Sequence, residues 1–279
     1  MPAAALTDRG VVKVAGVDSR GFLQGLITND VEKLPESEGR YAALLTPQGK
    51  IVVDFLLSPA RDDLGGGFFV DLPRPLVGDF IARLSKYRLR AKVAIEDMSE
   101  SIAVVAAWGL PERPAVVGDI YRDPRHPDLG WRIFCVESEA PGVVAALGAA
   151  SPEAYDAHRI GLGAPRGGVD FAYGDAFPHE ADMDRFAGID FRKGCYVGQE
   201  VVSRVEHRGL ARKRVTPVTF AGARPEVGVE LRAGETAIGV MGSSIAGRGL
   251  AMLRLDKAAE AKAAGRSIMA GGVQVEPQL

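Results

Sequence analysis

Apolar residues along this chain follow two periodicities in turn, and the alternation between them predicts its elements. Residues 11–14 read as a strand. Asp18 stands where an N-cap would, ahead of a short helix carrying Phe22, Leu23 and Leu26. The runs 41–45 and 51–57 read as a β-hairpin around Pro47-Gln48-Gly49-Lys50. Leu76, Phe80, Ile81 and Leu84 recur at helical spacing, and Lys86, Arg88 and Arg90 follow, where cations meet a helix dipole favourably. Residues 93–95, 102–106 and 131–136 read as further strands. Ser151-Pro152-Glu153 opens a second helix, with a Ser cap, a Pro in the first turn and an acid behind it. That helix carries Tyr155, His158, Arg159 and Leu162, and stops at Gly163 and Pro165.

Past about residue 210 the pattern becomes short strands between glycine-rich turns, at 215–220, 228–231, 237–243, 249–255 and 273–275. This spacing predicts a small closed or nearly closed β structure, with one helix over 256–264. The expected organisation is an α+β region over 1–208 and a C-terminal β-barrel domain over 209–279, the boundary falling where Gly209 and the basic residues up to Arg214 interrupt the pattern.

Composition narrows the class. A chain of 279 residues can bury a substantial core and divide into more than one unit. A formal charge of −2 gives no global attraction to nucleic acid or to an anionic membrane. Two cysteines cannot build a disulfide framework. They also exclude a complete four-cysteine iron–sulfur site. Cys135 and four scattered histidines fall short of a structural zinc site, so no metal site is expected. Residues 1–6 lack the basic region of a signal or transit peptide, and no apolar run approaches the length of a membrane span. A cytoplasmic protein without membrane contact is the expectation.

The most informative stretch is Lys193-Gly194-Cys195-Tyr196-Val197-Gly198-Gln199-Glu200. It sets one cysteine between two glycines, with Arg192 and Lys193 just ahead. Nearby positive charge favours a thiolate over a thiol, and glycines permit backbone angles and close approaches that other residues resist. The octet predicts a tight, exposed turn presenting a thiol, an amide and a carboxylate. Cys135, inside an apolar run, reads as a buried space-filler.

This octet resembles the signature of the YgfZ-type folate-binding proteins, which are related to the T-protein (aminomethyltransferase) of the glycine cleavage system. Residues 16–31, ending in the Thr28-Asn29-Asp30 turn, are similar to that family's first helix and turn. The hairpin bent at Gly49-Lys50, with Asp54 in its returning strand, is similar to the family hairpin. Arg159-Ile160 followed by Gly163-Ala164-Pro165 is similar to the helix end of the pterin-binding region. The matches keep family order from about residue 10 to about residue 255.

The resemblance implies an aminomethyltransferase-like folate-binding region of interleaved subdomains followed by the barrel. It implies tetrahydrofolate, or a one-carbon-substituted folate, in a central slot close to both Asp54 and the octet. Cys195, Lys193 and Asp54 are the implied residues for chemistry. Asp54, Tyr196, Gln199, Glu200 and Arg204 are those implied for binding. The sequence departs from the T-protein pattern twice: Val53 precedes Asp54 where two consecutive acids are usual, and Gly161 replaces a glutamate that hydrogen-bonds the pterin. The second departure matters more and weighs against aminomethyl transfer. An acid on a strand is, besides, more often an outward-facing solvated residue.

As a nucleophile Cys195 would need a base, and His179 and His207 are the candidates. A single thiolate could instead share a cluster or sulfur species with another protein. The resemblance implies that role, in the assembly or repair of iron–sulfur enzymes, including some that modify tRNA. The run Arg204, Arg208, Arg212, Lys213, Arg214 reads as a solvated face or a rim attracting a folate tail or an acidic partner; without interleaved aromatics it is a poor nucleic-acid surface. Three functions stay open: a folate-binding accessory of iron–sulfur assembly, whose partners are assembly proteins or client enzymes; a folate-dependent one-carbon transferase; and a direct tRNA-modifying activity, for which the chain offers no sequence feature of its own.

Overall fold

The computed structural model describes residues 2–61, 66–209 and 211–279. The chain begins with β1 (Ala3–Ala5), β2 (Arg9–Ala15) and the short helix α1 (Ser19–Gln24). The hairpin β3 (Arg40–Leu45) and β4 (Ile51–Pro59) follows, then β5 (Phe68–Pro73), α2 (Val77–Arg88) and β6 (Ala94–Asp97). Next come β7 (Ile102–Ala107), β8 (Asp119–Arg122), β9 (Trp131–Val136), α3 (Ala140–Leu147) and α4 (Pro152–Gly161). Residues 162–198 run as turns until α5 (Gln199–Arg208). The remainder is β10 (Lys213–Phe220), β11 (Glu230–Ala233), β12 (Thr236–Ile245), β13 (Arg248–Arg254), α6 (Leu255–Ala263), β14 (Ile268–Ala270) and β15 (Val273–Pro277).

Two antiparallel sheets interleave along the chain. β3-β4-β5-β2-β6 form one and β1-β7-β9-β8 the other, so the first two strands serve different sheets. The C-terminal strands close a barrel in the order β10-β13-β12-β11-β14-β15, sealed by pairing of β10 with β15. Closure leaves no free edge. Val218, Leu231, Ile238, Met241 and Leu253 fill its interior.

The hairpin is covered on both faces, and this decides the fate of Asp54. Successive strand side chains point to opposite faces. Ala42, Leu44, Val53, Phe55 and Leu57 enter the core beneath α2, while Tyr41, Ala43 and Leu56 enter the core shared with the second sheet, the 171–196 segment and the barrel. Asp54 pairs with Ala43 in register and shares the second face. No solvated face exists for it to occupy.

Several local expectations change. Asp18 precedes α1 but makes no side-chain cap; its carboxylate accepts instead from the Lys92 amide at 2.7 Å. The short strands β1, β5, β8 and β14, and helix α3, carried too little pattern to be anticipated. Ser151 does cap α4, accepting from the Ala154 amide at 3.3 Å. The octet turn ends earlier than expected, because Gln199 and Glu200 form the first turn of α5. That helix starts from Gly198 in a left-handed conformation, without a Ser, Thr, Asp or Asn to announce it.

Candidate functional site

β4, α4 and the segments around Arg9, Arg125 and Arg166 enclose a cavity of about 300 Å³, at the small end for ligand sites. Asp54 lies on its wall, 7% exposed. Tyr41 donates to its Oδ2 at 2.8 Å and Tyr173 to its Oδ1 at 2.5 Å. Burial and the adjacent carboxylate push both tyrosine hydroxyls well above their ordinary range, which keeps them as donors. Gly167 permits this arrangement: a Cβ there would lie 2.0 Å from the Tyr173 hydroxyl oxygen and 2.6 Å from Asp54 Oδ1.

The cations of the cavity were not anticipated. Arg9, Arg125, Arg132, Arg159 and Arg166 all line it. Arg132 bridges Asp71 and Asp123 at 3.3 Å each and donates to the Tyr155 hydroxyl at 2.8 Å. Arg125 makes a fork to Asp123 at 3.0 and 2.7 Å. Burial by itself would raise the Asp123 carboxyl, but Arg125 and Arg132 overcome it and hold the group at about 2. Arg159 joins Asp156, the Ala164 carbonyl, Asp170 and the Ser243 hydroxyl, tying α4 to the barrel. Arg9 and Arg125 each keep one terminal amino group (Nη1) without a hydrogen bond among the described residues. Three of the four lining acids are engaged, Asp54 by tyrosines and Asp8 and Asp156 by arginines, and Glu153 is exposed at the start of α4. The cavity therefore offers donors in excess of acceptors. They come from three stretches of the chain, around residues 9, 125–132 and 159–166, and of the five only Arg159 stood in a segment whose resemblance pointed to the binding region.

The octet is elsewhere. None of residues 193–200 lines the cavity, which corrects the expected shared slot. Its contact is with the hairpin bend: a Cβ on Gly198 would lie 2.7 Å from the Thr46 carbonyl oxygen, and one on Gly49 would lie 2.9 Å from Val201 Cβ. Both glycines have left-handed φ, at 85° and 80°. Four residues, three of them in β4, separate Gly49 from Asp54, at most about 17 Å of extended chain. Gly194 has ordinary φ and open space around it, so only Gly198 answers a conformational demand.

Lys193 is buried, contrary to the expectation of a cation beside the thiol. Its Nζ donates to the carbonyls of Gln24, Ile27 and Asn29 at 2.8, 2.7 and 2.8 Å. Burial lowers its pKa to about 8, against the opposing pull of Asp30, Asp190 and Glu32. The Thr28-Asn29-Asp30 turn completes the clamp. Thr28 Oγ1 donates to the Gly188 carbonyl at 2.6 Å, and Asn29 Nδ2 donates to the carbonyls of Tyr41 and Ala187. Asp190 accepts from the amides of Arg192 and Lys193. Cys195 rides exposed on this fixed loop. Tyr196 is buried beneath it, its hydroxyl raised to about 12 by burial and then by Asp190.

The other expected residues spread out along α5. Glu200 and Arg204 pair with each other at 2.6 Å on an exposed face, and Gln199 is half-buried at the helix start. His179 is buried and bonded through Nε2 to Glu206 at 2.9 Å, and His207 is exposed; neither bonds Cys195 among the described residues. His179, Glu206 and Asp184 lie close enough to hold a cation, although Asp184 already pairs with Arg214. Gly161 is exposed and lies outside the cavity lining. Cys135 is buried in β9, its thiol raised to about 11 by burial.

Comparison with known proteins adds three findings. Residues 212–279 match the family described as "CAF17, C-terminal beta-barrel domain". The chain is 35% identical over 239 residues to "Iron-sulfur cluster assembly factor IBA57 homolog, mitochondrial" of Mycosarcoma maydis, covering 81% of this chain and 59% of that protein. It is 31% identical over 242 residues to the human protein "Iron-sulfur cluster assembly factor IBA57, mitochondrial", covering 80% of this chain and 68% of that one. Against the relatives from Mycosarcoma, Neurospora and Aspergillus oryzae the chain spans 59, 55 and 56% of their length. In structure it is similar to the glycine cleavage system aminomethyltransferase T from Bartonella henselae, with a TM-score of 0.78 at 16% identity, over 100% of this chain and 85% of that one. The α+β, aminomethyltransferase-like fold with a C-terminal barrel is thereby established. The relatives are named mitochondrial, which overturns the cytoplasmic expectation.

Proposed function

Because the chain belongs to the IBA57 family of iron–sulfur cluster assembly factors, we propose that it acts as an accessory protein in the assembly or repair of iron–sulfur enzymes, tRNA-modifying ones among them. Its octet resembles the YgfZ-type branch. The observation that carries this reading is Cys195, an exposed thiol on a loop whose backbone is clamped by Lys193, Thr28 and Asn29. Such a thiol supplies one ligand to a cluster or sulfur species whose remaining ligands come from another protein. The region 1–208 carries both sites, and 209–279 forms the barrel unit.

The cavity is the second half of the reading. Its residues fit a reduced folate in chemistry: Arg9 and Arg125 keep donors for a carboxylate tail, and Asp54 is an acceptor for a pterin N–H. Bound there, folate would offer its one-carbon chemistry. With both Asp54 oxygens already accepting from tyrosines and Gly161 in place of an acidic side chain, retention of the ligand is favoured over aminomethyl transfer.

Cys195→Ser tests the reading. Serine keeps volume and hydrogen bonding but ionises far less readily. The variant should fold, bind tetrahydrofolate by calorimetry as the parent does, and fail to restore cluster-dependent enzyme activity in a deletion strain. Full restoration would sink the role of the thiol. Absence of tetrahydrofolate binding by the parent would sink the folate half alone.

A further inference from the structure

A dense run of single-sign charge lies outside both sites. Between Phe80 and Ile95 stand five cations, Arg83, Lys86, Arg88, Arg90 and Lys92, and no acid, in a chain of net charge −2. All five are exposed. None of their side chains makes an ion pair or hydrogen bond among the described residues. The helix dipole accounts for Lys86 and Arg88 in the last turn of α2. Arg90 and Lys92 lie beyond the helix, where the dipole gives no reason for them.

The apolar residues here are equally out of place. Leu89 ends α2 at φ 41° and ψ −105°, a region that L side chains avoid and glycine fills at little cost. It is 90% exposed. Val17, 84% exposed, belongs to the same surface, because its neighbours on either side both touch Lys92. Gly16 packs on the Lys92 carbonyl so closely that a Cβ would lie 2.2 Å from it, and Asp18 accepts from the Lys92 amide. The result is a knuckle carrying two projecting aliphatic side chains and these cations, with the Asp18 carboxylate as an adjoining acid.

The knuckle is mechanically joined to the thiol loop. α1 spans six residues, about 9 Å. Lys92 holds the turn before its first residue, and Lys193 bonds the carbonyl of its last, Gln24. A partner seated on one end of α1 is therefore positioned relative to Cys195 at the other.

We propose that this knuckle is the docking surface for an acidic protein partner that shares a cluster at Cys195; this rests on the proposed role of that thiol. A cluster held by thiolates carries net negative charge, since sulfides and thiolates outweigh the irons, so its carrier is drawn to unpaired cations. Leu89 and Val17 supply the short apolar contact that fixes register within a charged rim. Two aliphatic side chains and the half-exposed Tyr87 are too few to anchor an interfacial helix in lipid, which favours a protein over a membrane.

The test uses the full chain with Arg88→Glu, Arg90→Glu and Lys92→Glu combined, alongside Cys195→Ser. The triple variant should keep the parental melting temperature and tetrahydrofolate affinity, yet lower cluster-dependent enzyme activity in the deletion strain by about tenfold or more. A photoreactive benzoylphenylalanine at position 89 should capture an acidic cysteine-bearing protein. Capture should vanish in the triple variant and return when acids of that partner are changed to lysine. If the triple variant restores activity fully while Cys195→Ser does not, the docking surface is wrong and the thiol's role stands. Full restoration by Cys195→Ser removes both. Capture that survives charge reversal overturns the proposal. So does charge-dependent sedimentation with phosphatidylglycerol vesicles in the absence of a protein adduct.

Discussion

The arginine-lined cavity and the Cys195 loop both rest on one hairpin and bury charge in opposite ways. In the cavity, Arg125, Arg132 and Arg159 are neutralised by the carboxylates of Asp71, Asp123 and Asp170, drawn from separate strands and loops. Under the loop, Lys193 is held by three backbone carbonyls of one short segment. Paired charges lock side chains of distant elements into place and leave some donors pointed at a ligand. A lone ammonium on carbonyls locks backbone instead, and leaves the neighbouring thiol unencumbered. The first arrangement suits a binding site; the second suits a rigid perch.

The contrast can be broken most forcefully in the cavity. Arg132→Met should cost about 3 kcal/mol, because it leaves buried Asp71 and Asp123 with incomplete compensation. Urea unfolding measures this, and a change below about 1 kcal/mol would show that Arg9 and Arg125 suffice without it. Reactivity of Cys195 toward an alkylating agent in the folded variant should stay as in the parent, since among the described residues Arg132 bonds only Asp71, Asp123 and Tyr155 through its side chain.

Lys193→Met sharpens the comparison from the other end. Three carbonyls lose their donor, at a cost of about 2 kcal/mol. Limited proteolysis should cut first within 190–198, while tetrahydrofolate affinity remains unchanged. A large loss of folate binding would mean that the cavity and the loop are one site after all. The smallest effect is expected at Gly194→Ala, within about 0.5 kcal/mol, because a Cβ there meets open space at an ordinary φ. A strong stability loss would mean that the loop packs more tightly around Cys195 than its exposure indicates.

Sequence by itself determined what depends on neighbours along the chain. The hairpin about Gly49, the capped start of α4, the amphipathic stripe of α2, the strand-and-turn texture of the barrel and the octet itself are all written in local periodicity and turn chemistry. α5 escaped because a left-handed glycine, not a capping side chain, begins it. The tertiary structure alone decided which charges are buried and by whom. Alternation along β4 gives Asp54 a side of the strand, but only a second sheet laid over that side makes it an inward one. Five arginines with no common motif converge on one cavity because their strands, helix and loops meet there. Lys193, which beside Cys195 in sequence reads as an activating cation, turns inward to carbonyls more than 160 residues earlier. A charge's partner is set by proximity in space, and a linear pattern records only proximity along the chain.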